Sequence, residues 1–421
     1  MPHSANVPNG IRVSVEWAME HNKAALVVCT STLAQGVNLP IKYLIVTSTF
    51  QAGQEITTRD FHNLIGRAGR AGYHTEGSII FTDTEIYDKK NQYRKKWKWE
   101  RALHLLDFSN AEDCVSSLLD LIEPFKFEKL ETDVGAFIDD PGGYREDCID
   151  RAADDEIDIT DLLFEMDHKE SLIETIESYF LSYLKDNPDA EEAFFLELAQ
   201  ETLAYFLADD AQEAALVDAF TTIAQNVLAL PKAKYAYYGK ALFGVDQLLE
   251  IEAWIDAHKD ELDVLEDADQ VLELCWPLLA QLNRNKTYLK VHPEEVHLPF
   301  ACKWIAGESY HELLAALVES EARYHAKTQR RQIKMDHVFE LTDGALAFDA
   351  TLIVGAIADI AEARDVADDA IKALRFLQTR LRLGLRTSLE VWLYSRGFVD
   401  REVCKSLAAR LEEEGVPDEG F

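Results

Sequence analysis

The sequence lacks the cysteine and histidine spacings that form structural metal sites or disulfide frameworks. Its six cysteines are scattered, and none belongs to a CxxC pair. A zinc ribbon or a disulfide framework is therefore not expected, and the pattern fits a reducing cytoplasm. His292 and His297 are one residue too far apart for a zinc-binding helix, and Pro293 would break that helix. We predict no metal site.

Long apolar runs and an export leader are also lacking. No uninterrupted apolar run approaches the roughly 18 residues that a membrane span needs. The first residues have no basic stretch followed by an apolar core, so no signal peptide is expected. The sequence predicts a cytoplasmic protein with no membrane partner.

Positive charge is scarce, with 42 Lys and Arg against 76 Asp and Glu and a net charge of −34. An even spread of acid would repel nucleic acid. However, residues 1–110 hold 13 basic and 10 acidic side chains, and residues 321–421 hold 15 and 18. The excess acid therefore lies in 111–320. Both ends can contact nucleic acid, while the acidic middle can receive a basic protein partner.

Short runs rich in β-branched residues occur only in the first hundred residues. They begin at Ala24, Tyr43 and Ser78, and helical periodicity over Thr58–Arg70 separates the last two. Such runs indicate strands covered on both faces, and their alternation with a helix indicates a parallel α/β sheet. A further helix is expected over 9–22.

Beyond about residue 100, helical periodicity dominates. The stretches that show it are 101–122, 159–186, 190–208, 210–229, 245–258, 267–282, 309–328, 350–363, 366–383 and 400–413. A short β segment is expected within Lys286–Val296. We predict a partial α/β domain over 1–100, an acidic helical accessory domain over 101–300 and a helical C-terminal domain over 301–421.

Two stretches of the predicted α/β domain resemble known sequence motifs. Residues 27–45 read VVCTSTLAQGVNLPIKYLI, and residues 61–72 read FHNLIGRAGRAG. They resemble motifs V and VI of superfamily 2 helicases, in the DExH-box superkiller-like family, in the same order and about 30 residues apart. The resemblance implies that 1–100 is part of the second RecA-like domain, of P-loop NTPase type. It also implies a ratchet-like domain in the large helical region that follows.

The second stretch carries the catalytic residues that the resemblance implies. Arg67 and Arg70 correspond to the arginine fingers, which stabilise charge on the γ-phosphoryl of ATP. A guanidinium suits this role because it stays charged and binds phosphate oxygens bidentately. Three residues apart, the two side chains would share one face of a helix. Asn63, at the position of the family's glutamine, and Gly66 are assigned to the nucleotide, and the small residues after Gly66 would let a partner domain approach.

The first stretch follows a predicted strand, at the sheet edge where α/β proteins bind ligands. The resemblance assigns three hydroxyls to nucleic-acid phosphates, namely those of Thr30, Ser31 and Thr32. It assigns Gly36 and Asn38 to the nucleotide side. A helix-capping cluster is the alternative interpretation of the hydroxyls. Between the two motifs, 50–57 could form either a hairpin or a plain loop.

Three basic segments are candidates for contact with a nucleic-acid strand, namely Lys89–Arg101, Arg323–Lys334 and Ile371–Arg386. In the last of them we expect Lys372, Arg375 and Arg382 to face the strand, as in the ratchet helix of similar helicases. For Lys89–Arg101 the alternative is a solvated helix whose tryptophans pack inward, and for the other two segments it is a surface helix with a solvated basic face.

The sequence has no G-x-x-x-x-G-K-[ST] motif and no DExH motif after a strand. In the family these belong to the first RecA-like domain, which holds most of the contacts to ATP and Mg²⁺. We therefore expect a truncated product or one piece of a split enzyme, which needs that N-terminal motor domain and does not hydrolyse ATP alone. In that context it would be the C-terminal part of an ATP-dependent DNA or RNA helicase. The alternative is a non-catalytic, helicase-derived scaffold that binds a protein partner through its acidic helices, with bacterial anti-phage defence as one setting.

Overall fold

The structure, a computed structural model, divides into two compact units, Met1–Cys114 and Val115–Phe421. The residues that it describes are 2–3, 9–21, 23–30, 41–51, 54–69, 76–326, 329–398 and 400–415. Most of these residues are helical, as expected for the larger part of the chain. The division at residues 100 and 300 stays a prediction.

The first unit combines short strands with four helices in its described part. In chain order these elements are β1 (Pro2–His3), α1 (Asn9–Glu20), β2 (Val28–Cys29), β3 (Tyr43–Val46), β4 (Phe50–Gln51), β5 (Gln54–Glu55), α2 (Thr58–Ile65), β6 (Ser78–Phe81), α3 (Glu85–Asp88) and α4 (Lys96–Leu106). Strand β1 pairs in parallel with β2, and β3 with β6. Strands β4 and β5 are antiparallel, so the segment between the two motifs is a hairpin. The parallel pairing was predicted, whereas the RecA-like assignment stays a prediction.

The two-stranded β3–β6 sheet is covered on one face only in the described part. Leu44 and Val46 of β3 are buried with Phe61 of α2 and Leu105 of α4. The alternate residues point the other way, and Ile45 is 50% exposed. The prediction of strands covered on both faces is therefore wrong here, because α2 and α4 pack on the same side of β3.

The second unit is built of helices with one small sheet in its described part. The helices are α5 (Leu119–Ile122), α6 (Val134–Asp139), α7 (Pro141–Asp154), α8 (Thr160–Asp186), α9 (Glu192–Gln200), α10 (Leu203–Leu207), α11 (Asp210–Leu228), α12 (Lys232–Tyr238), α13 (Val245–Leu262), α14 (Ala268–Leu282), α15 (His297–Ile305), α16 (Tyr310–Glu319), α17 (Met335–Phe339), α18 (Thr351–Ala363), α19 (Asp368–Leu383), α20 (Ser388–Ser395) and α21 (Arg401–Glu413). The strands are β7 (Val291–His292), β8 (Arg323–Ala326) and β9 (Gln329–Gln332). A π-helical segment, Glu340–Ala350, joins α17 to α18.

The sheet corrects the prediction that strands end near residue 100. The helix expected over 309–328 stops at Glu319, because Glu321 takes a left-handed conformation with φ of 56°. The chain then forms β8 and β9, and the sheet order is β7–β8–β9 with antiparallel pairing. Only β7 falls within a segment that the sequence analysis marked as β.

One helical run in the described residues is long and apolar enough to span a membrane, contrary to the expectation from uninterrupted runs. It is Met335–Ala363, with a mean hydropathy of 1.7 over its most apolar window, of which 61% is buried inside the protein. Isolated acids such as Asp343 and Asp349 break the run in sequence without lowering its average much. α18 and α19 pack together, and the side-chain amide of Gln378 lies against Gly355. Within this unit the run is a core element.

A buried carboxyl group, Glu177 of α8, caps α13. Its Oε2 accepts a hydrogen bond from the backbone N–H of Val245 at 2.9 Å. Burial raises the pKa of Glu177 to about 7, and the nearby carboxylates of Asp246 and Glu174 raise it further. The group therefore holds a proton in the folded protein at pH values where the unfolded chain has lost it.

We expect this group to make the protein less stable as the pH rises. Because the folded-state pKa lies above the ordinary value of 4.5, the contribution is complete below pH 4.5 and is lost between there and about pH 7. The loss is at most about 3 kcal/mol. Glu177→Gln keeps an acceptor for Val245 and should flatten the decline. Urea unfolding at several pH values measures it, and an unchanged pH slope in the variant would contradict the assignment.

Candidate nucleotide and nucleic-acid site

Helix α2 leads into the predicted arginine fingers, and its start is fixed by two acceptors. Oγ1 of Thr57 accepts from the backbone N–H of Asp60 at 3.1 Å. The carboxylate of Glu112 accepts from the N–H groups of Arg59 and Thr58, at 2.8 and 2.9 Å. These two hydrogen bonds hold the pKa of Glu112 at about 2. The negative charge also complements the positive end of the helix dipole.

The helix ends before the arginines, which corrects their expected geometry. Its last residue is Ile65, and the N–H of Gly66 donates to the carbonyl of His62 at 2.9 Å. Arg67 lies in the turn beyond this cap and is half-buried. Arg70 lies outside the described residues. The expectation that both arginines share one face of a helix is therefore wrong for Arg67.

The turn that follows Arg67 lies against the segment that leads into β3. Ala68 forms a parallel bridge with Ile41, and the N–H of Gly69 donates to the carbonyl of Ile41 at 2.9 Å. Gly69 has φ of +73°, and a Cβ at this position would lie 2.4 Å from the backbone nitrogen of Gly77. Only glycine fits both conditions. Its small size is thus required inside this unit, without the partner domain that the sequence analysis invoked.

The structure brings together three of the residues assigned to nucleotide. Asn63 and Gly66 are exposed, and Arg67 follows within the same turn. Ser31, Thr32, Gly36 and Asn38 lie outside the described residues. Thr30 comes directly after β2 and is exposed. The nucleotide and phosphate roles of all these residues stay predictions.

A cavity of about 220 Å³ lies where β3 and β6 end. Its lining includes Ser48 after β3, Phe81 at the end of β6, and Trp97, Lys98 and Arg101 of α4. This is the edge at which open α/β sheets bind ligands. The sequence analysis treated the α4 residues only as part of a basic segment and missed the cavity. The hydroxyl-bearing residues that follow β3 were the sequence signal that could have indicated this cavity.

The basic segment at α4 is largely neutralised by its own acids. Glu85 accepts hydrogen bonds from Lys89 and from Lys95, and these bonds hold its pKa at about 2. Lys98 pairs with Asp83 at 2.5 Å. These three lysines thus have carboxylate partners, which neither interpretation of the segment predicted.

Helix α19 carries the three residues expected to contact a strand in the manner of a ratchet. Lys372 pairs with Asp369 at 2.7 Å, and Arg375 pairs with Asp359 at 2.5 Å. Arg382 is exposed near the end of the helix. Two of the three cations thus already have carboxylate partners, and their contact with nucleic acid stays a prediction.

No family model matches the chain. It is similar to the Hachiman protein HamB of Bacillus cereus, with 23% identity over 425 positions that cover 98% of this chain and 36% of that protein. A "Helicase POLQ-like" protein of Caenorhabditis elegans is 29% identical over 129 residues, 31% of this chain and 14% of the relative. The ATP-dependent DNA helicase Hel308 of Thermoplasma volcanium is 38% identical over 84 residues, 19% of this chain and 12% of the relative. The chain thus spans 36% or less of the length of these relatives. The comparisons support a relationship between this chain and the helicases of superfamily 2.

Proposed function

We propose that this chain is the C-terminal part of an ATP-dependent helicase or translocase that moves along DNA or RNA. In this proposal, residues 1–100 belong to a second RecA-like motor domain, and the helical region that follows guides the strand. Support comes from the parallel strand pairs of the first unit and from the similarity to proteins named as helicases.

One observation carries the proposal, namely the backbone contact between the two motif segments. The first motif leads directly into Ile41, and the turn beyond Arg67 bonds to Ile41 through Gly69 and Ala68. In this proposal a displacement of Arg67 reaches Ile41 through these bonds, and Ile41 belongs to the same motif segment as the proposed strand contacts. Such coupling is what a motor needs, because the nucleotide state must alter the grip on nucleic acid.

The described residues offer contacts to one side of an ATP molecule only. Asn63, exposed near the end of α2, carries an amide, and Arg67, half-buried in the turn that follows, carries a guanidinium, which suits contact with a phosphate held by another domain. In the described part of the chain, no group of three or more His, Cys, Asp or Glu side chains could hold a metal ion. We propose that ATP and Mg²⁺ are held mainly by an N-terminal motor domain. When bound, ATP supplies the phosphoryl group that is transferred to water. Arg67 orients this phosphoryl group and neutralises its negative charge.

The test is ATP hydrolysis by the protein that joins this chain to a motor domain with a phosphate-binding loop. We expect hydrolysis to increase when single-stranded DNA or RNA is added, since the motif segments couple the two sites. Hydrolysis that responds to neither polymer would refute the motor. Duplex unwinding with labelled strands then separates helicase from translocase activity.

A scaffold without catalysis is the second candidate, and the acidic middle of the chain favours it. Residues 111–320 hold 14 basic and 48 acidic side chains. Such a surface attracts a basic protein and repels nucleic acid. Binding of polylysine to this chain, lost at high salt, together with no binding of DNA or RNA, would favour the scaffold.

A further inference from the structure

The second unit is strongly acidic, yet one of its segments is cationic. Residues 115–421 hold 29 basic and 64 acidic side chains. Residues 323–334 hold five Lys and Arg and no acid. The sequence analysis named this segment a candidate for contact with a nucleic-acid strand, with a surface helix as the alternative, and the structure folds it into the β8–β9 hairpin. The strand pairing therefore decides which of its cations lie together.

One face of the sheet collects two arginines and two histidines. In the β-register His325 is opposite Arg330, and His292 of β7 is opposite Arg323. Opposite residues of antiparallel strands share a face, so all four side chains lie on the same side. The His292 and His325 rings stack with centroids 4.3 Å apart. These four residues line a groove of about 450 Å³.

The other face fixes the hairpin to the body of the unit. The ring of Tyr324 stacks on His337 at 4.3 Å, nearly parallel, and Tyr324 packs against the main core. Val291 of β7 is fully buried. Because one face is held by packing, the groove on the opposite face is presented in a fixed geometry, and a ligand need not order it.

The cations of the hairpin differ from Lys98 of α4 and from Lys372 and Arg375 of α19, which have carboxylate partners. Within the part of the chain that the structure describes, no Asp or Glu oxygen lies within 4.0 Å of the cationic nitrogens of Arg323, Arg330, Arg331 or Lys334. Nη2 of Arg331 donates to the side-chain oxygen of Gln329 at 3.2 Å. Three acids, Glu294, Glu295 and Glu321, line the groove without pairing to these arginines. The charge of β9 therefore remains available to an external anion.

Charge on an edge strand has a simpler use, which is to block pairing with another strand. That explanation covers the exposed β9 residues Arg330 and Arg331. It leaves unexplained the stacked histidines and the groove on the same face. A strand of nucleic acid uses all three features, because guanidinium groups bind phosphates and flat rings stack on bases.

We propose that the face formed by His292, Arg323, His325 and Arg330 binds the backbone of single-stranded nucleic acid. The histidine stack lies beside a base, and the arginines contact phosphodiester groups. This assignment rests on the proposed function, which it extends to a surface outside the motif segments and α19.

The test is the binding of fluorescent oligo-dT and oligo-U to the whole chain, measured by anisotropy between about 50 and 200 mM salt. Arg323→Gln with Arg330→Gln keeps the strand pairing and removes the two arginine charges of the groove face. Loss of two phosphate contacts lowers the salt slope by about 1.4 and the affinity by about 10- to 25-fold near 0.1 M salt. Whichever oligonucleotide is bound more tightly by the wild type shows whether DNA or RNA is preferred.

The matched control is Lys126→Gln with Lys232→Gln. It removes two charges from the same unit, at side chains that are 80% and 63% exposed. We expect affinity within about twofold of the wild type. A second variant, His325→Ala, removes one ring of the histidine stack but no fixed charge. Its affinity should therefore fall about fivefold with an unchanged salt slope. Circular dichroism verifies that each variant is folded.

The outcomes separate this inference from the proposed function. A wild-type chain that binds neither oligonucleotide contradicts the proposed function as well as this site. Wild-type binding that the double arginine variant retains in full overturns the hairpin assignment alone. If the double arginine variant retained oligonucleotide binding but lost the binding of polyglutamate, the hairpin would be a surface for an acidic protein. That result would overturn the inference too.

Discussion

Replacement of Arg67 by alanine is expected to lower nucleic-acid-stimulated ATP hydrolysis by about 10³-fold or more, in the protein that joins this chain to a nucleotide-binding motor domain. The guanidinium is needed most when charge develops on the transferring phosphoryl, so kcat should fall much more than KM rises. Steady-state hydrolysis with saturating oligonucleotide measures both constants. Arg67→Lys keeps the charge but loses bidentate contact, and should recover only a small part of the rate.

The matched control for this experiment lies on α2, the helix that precedes Arg67. Arg59 of α2 is exposed, and its Nη1 lies 3.4 Å from the backbone oxygen of Asp113. Arg59→Gln removes one positive charge from α2 and keeps the backbone bonds to Glu112, so hydrolysis should stay close to wild type. If Arg67→Ala behaved like Arg59→Gln, Arg67 would not be an arginine finger.

Gly69→Ala is expected to destabilise the first unit by about 3 kcal/mol, the sum of backbone strain and overpacking. An alanine would have to hold φ near +73°, and its Cβ would lie 2.4 Å from the nitrogen of Gly77. Neither backbone can yield easily, because the N–H of Gly69 is bonded to Ile41 and the next residue after Gly77 begins β6. Hydrogen exchange at the amides of β3 and β6 reports the loss.

Gly66→Ala is the control for strain. Gly66 has φ of −62°, which any residue adopts, and a Cβ there would lie 3.1 Å from the carbonyl of His62. We expect a loss below about 1 kcal/mol. Equal destabilisation by the two substitutions would show that the close backbone contact at Gly69 does not govern the stability of this unit.

Local pattern predicted the long helices closely, and the reason is that each buries a stripe along its own length. The stretches 159–186, 210–229 and 267–282 correspond to α8, α11 and α14 to within one residue at each end. The parallel pairing of β3 with β6 was also predictable, since a helix intervenes between two apolar runs. Periodicity alone suffices for such elements.

Charge patterns along the chain predicted much less about the candidate sites. A basic stripe on α19 and the i,i+3 pair of Lys372 with Asp369 were visible in the sequence, but the partner of Arg375, Asp359 of α18, was not. The same holds for Lys95 and Lys98, which pair with Glu85 and Asp83. Whether a cation is available also depends on which distant acids fold back onto it, and helical periodicity carries no information about those.

The sequence by itself determined the order of the motifs, the residue types within them and most of the helices, because these depend on neighbours a few positions away. Only the tertiary structure decided that α2 stops before Arg67, that Gly69 contacts Gly77, and that His292 stacks on His325. Each of these facts requires two backbones to approach through space. These contacts depend on close packing and strand pairing between segments that are distant in the sequence, and local sequence patterns do not specify which segments meet.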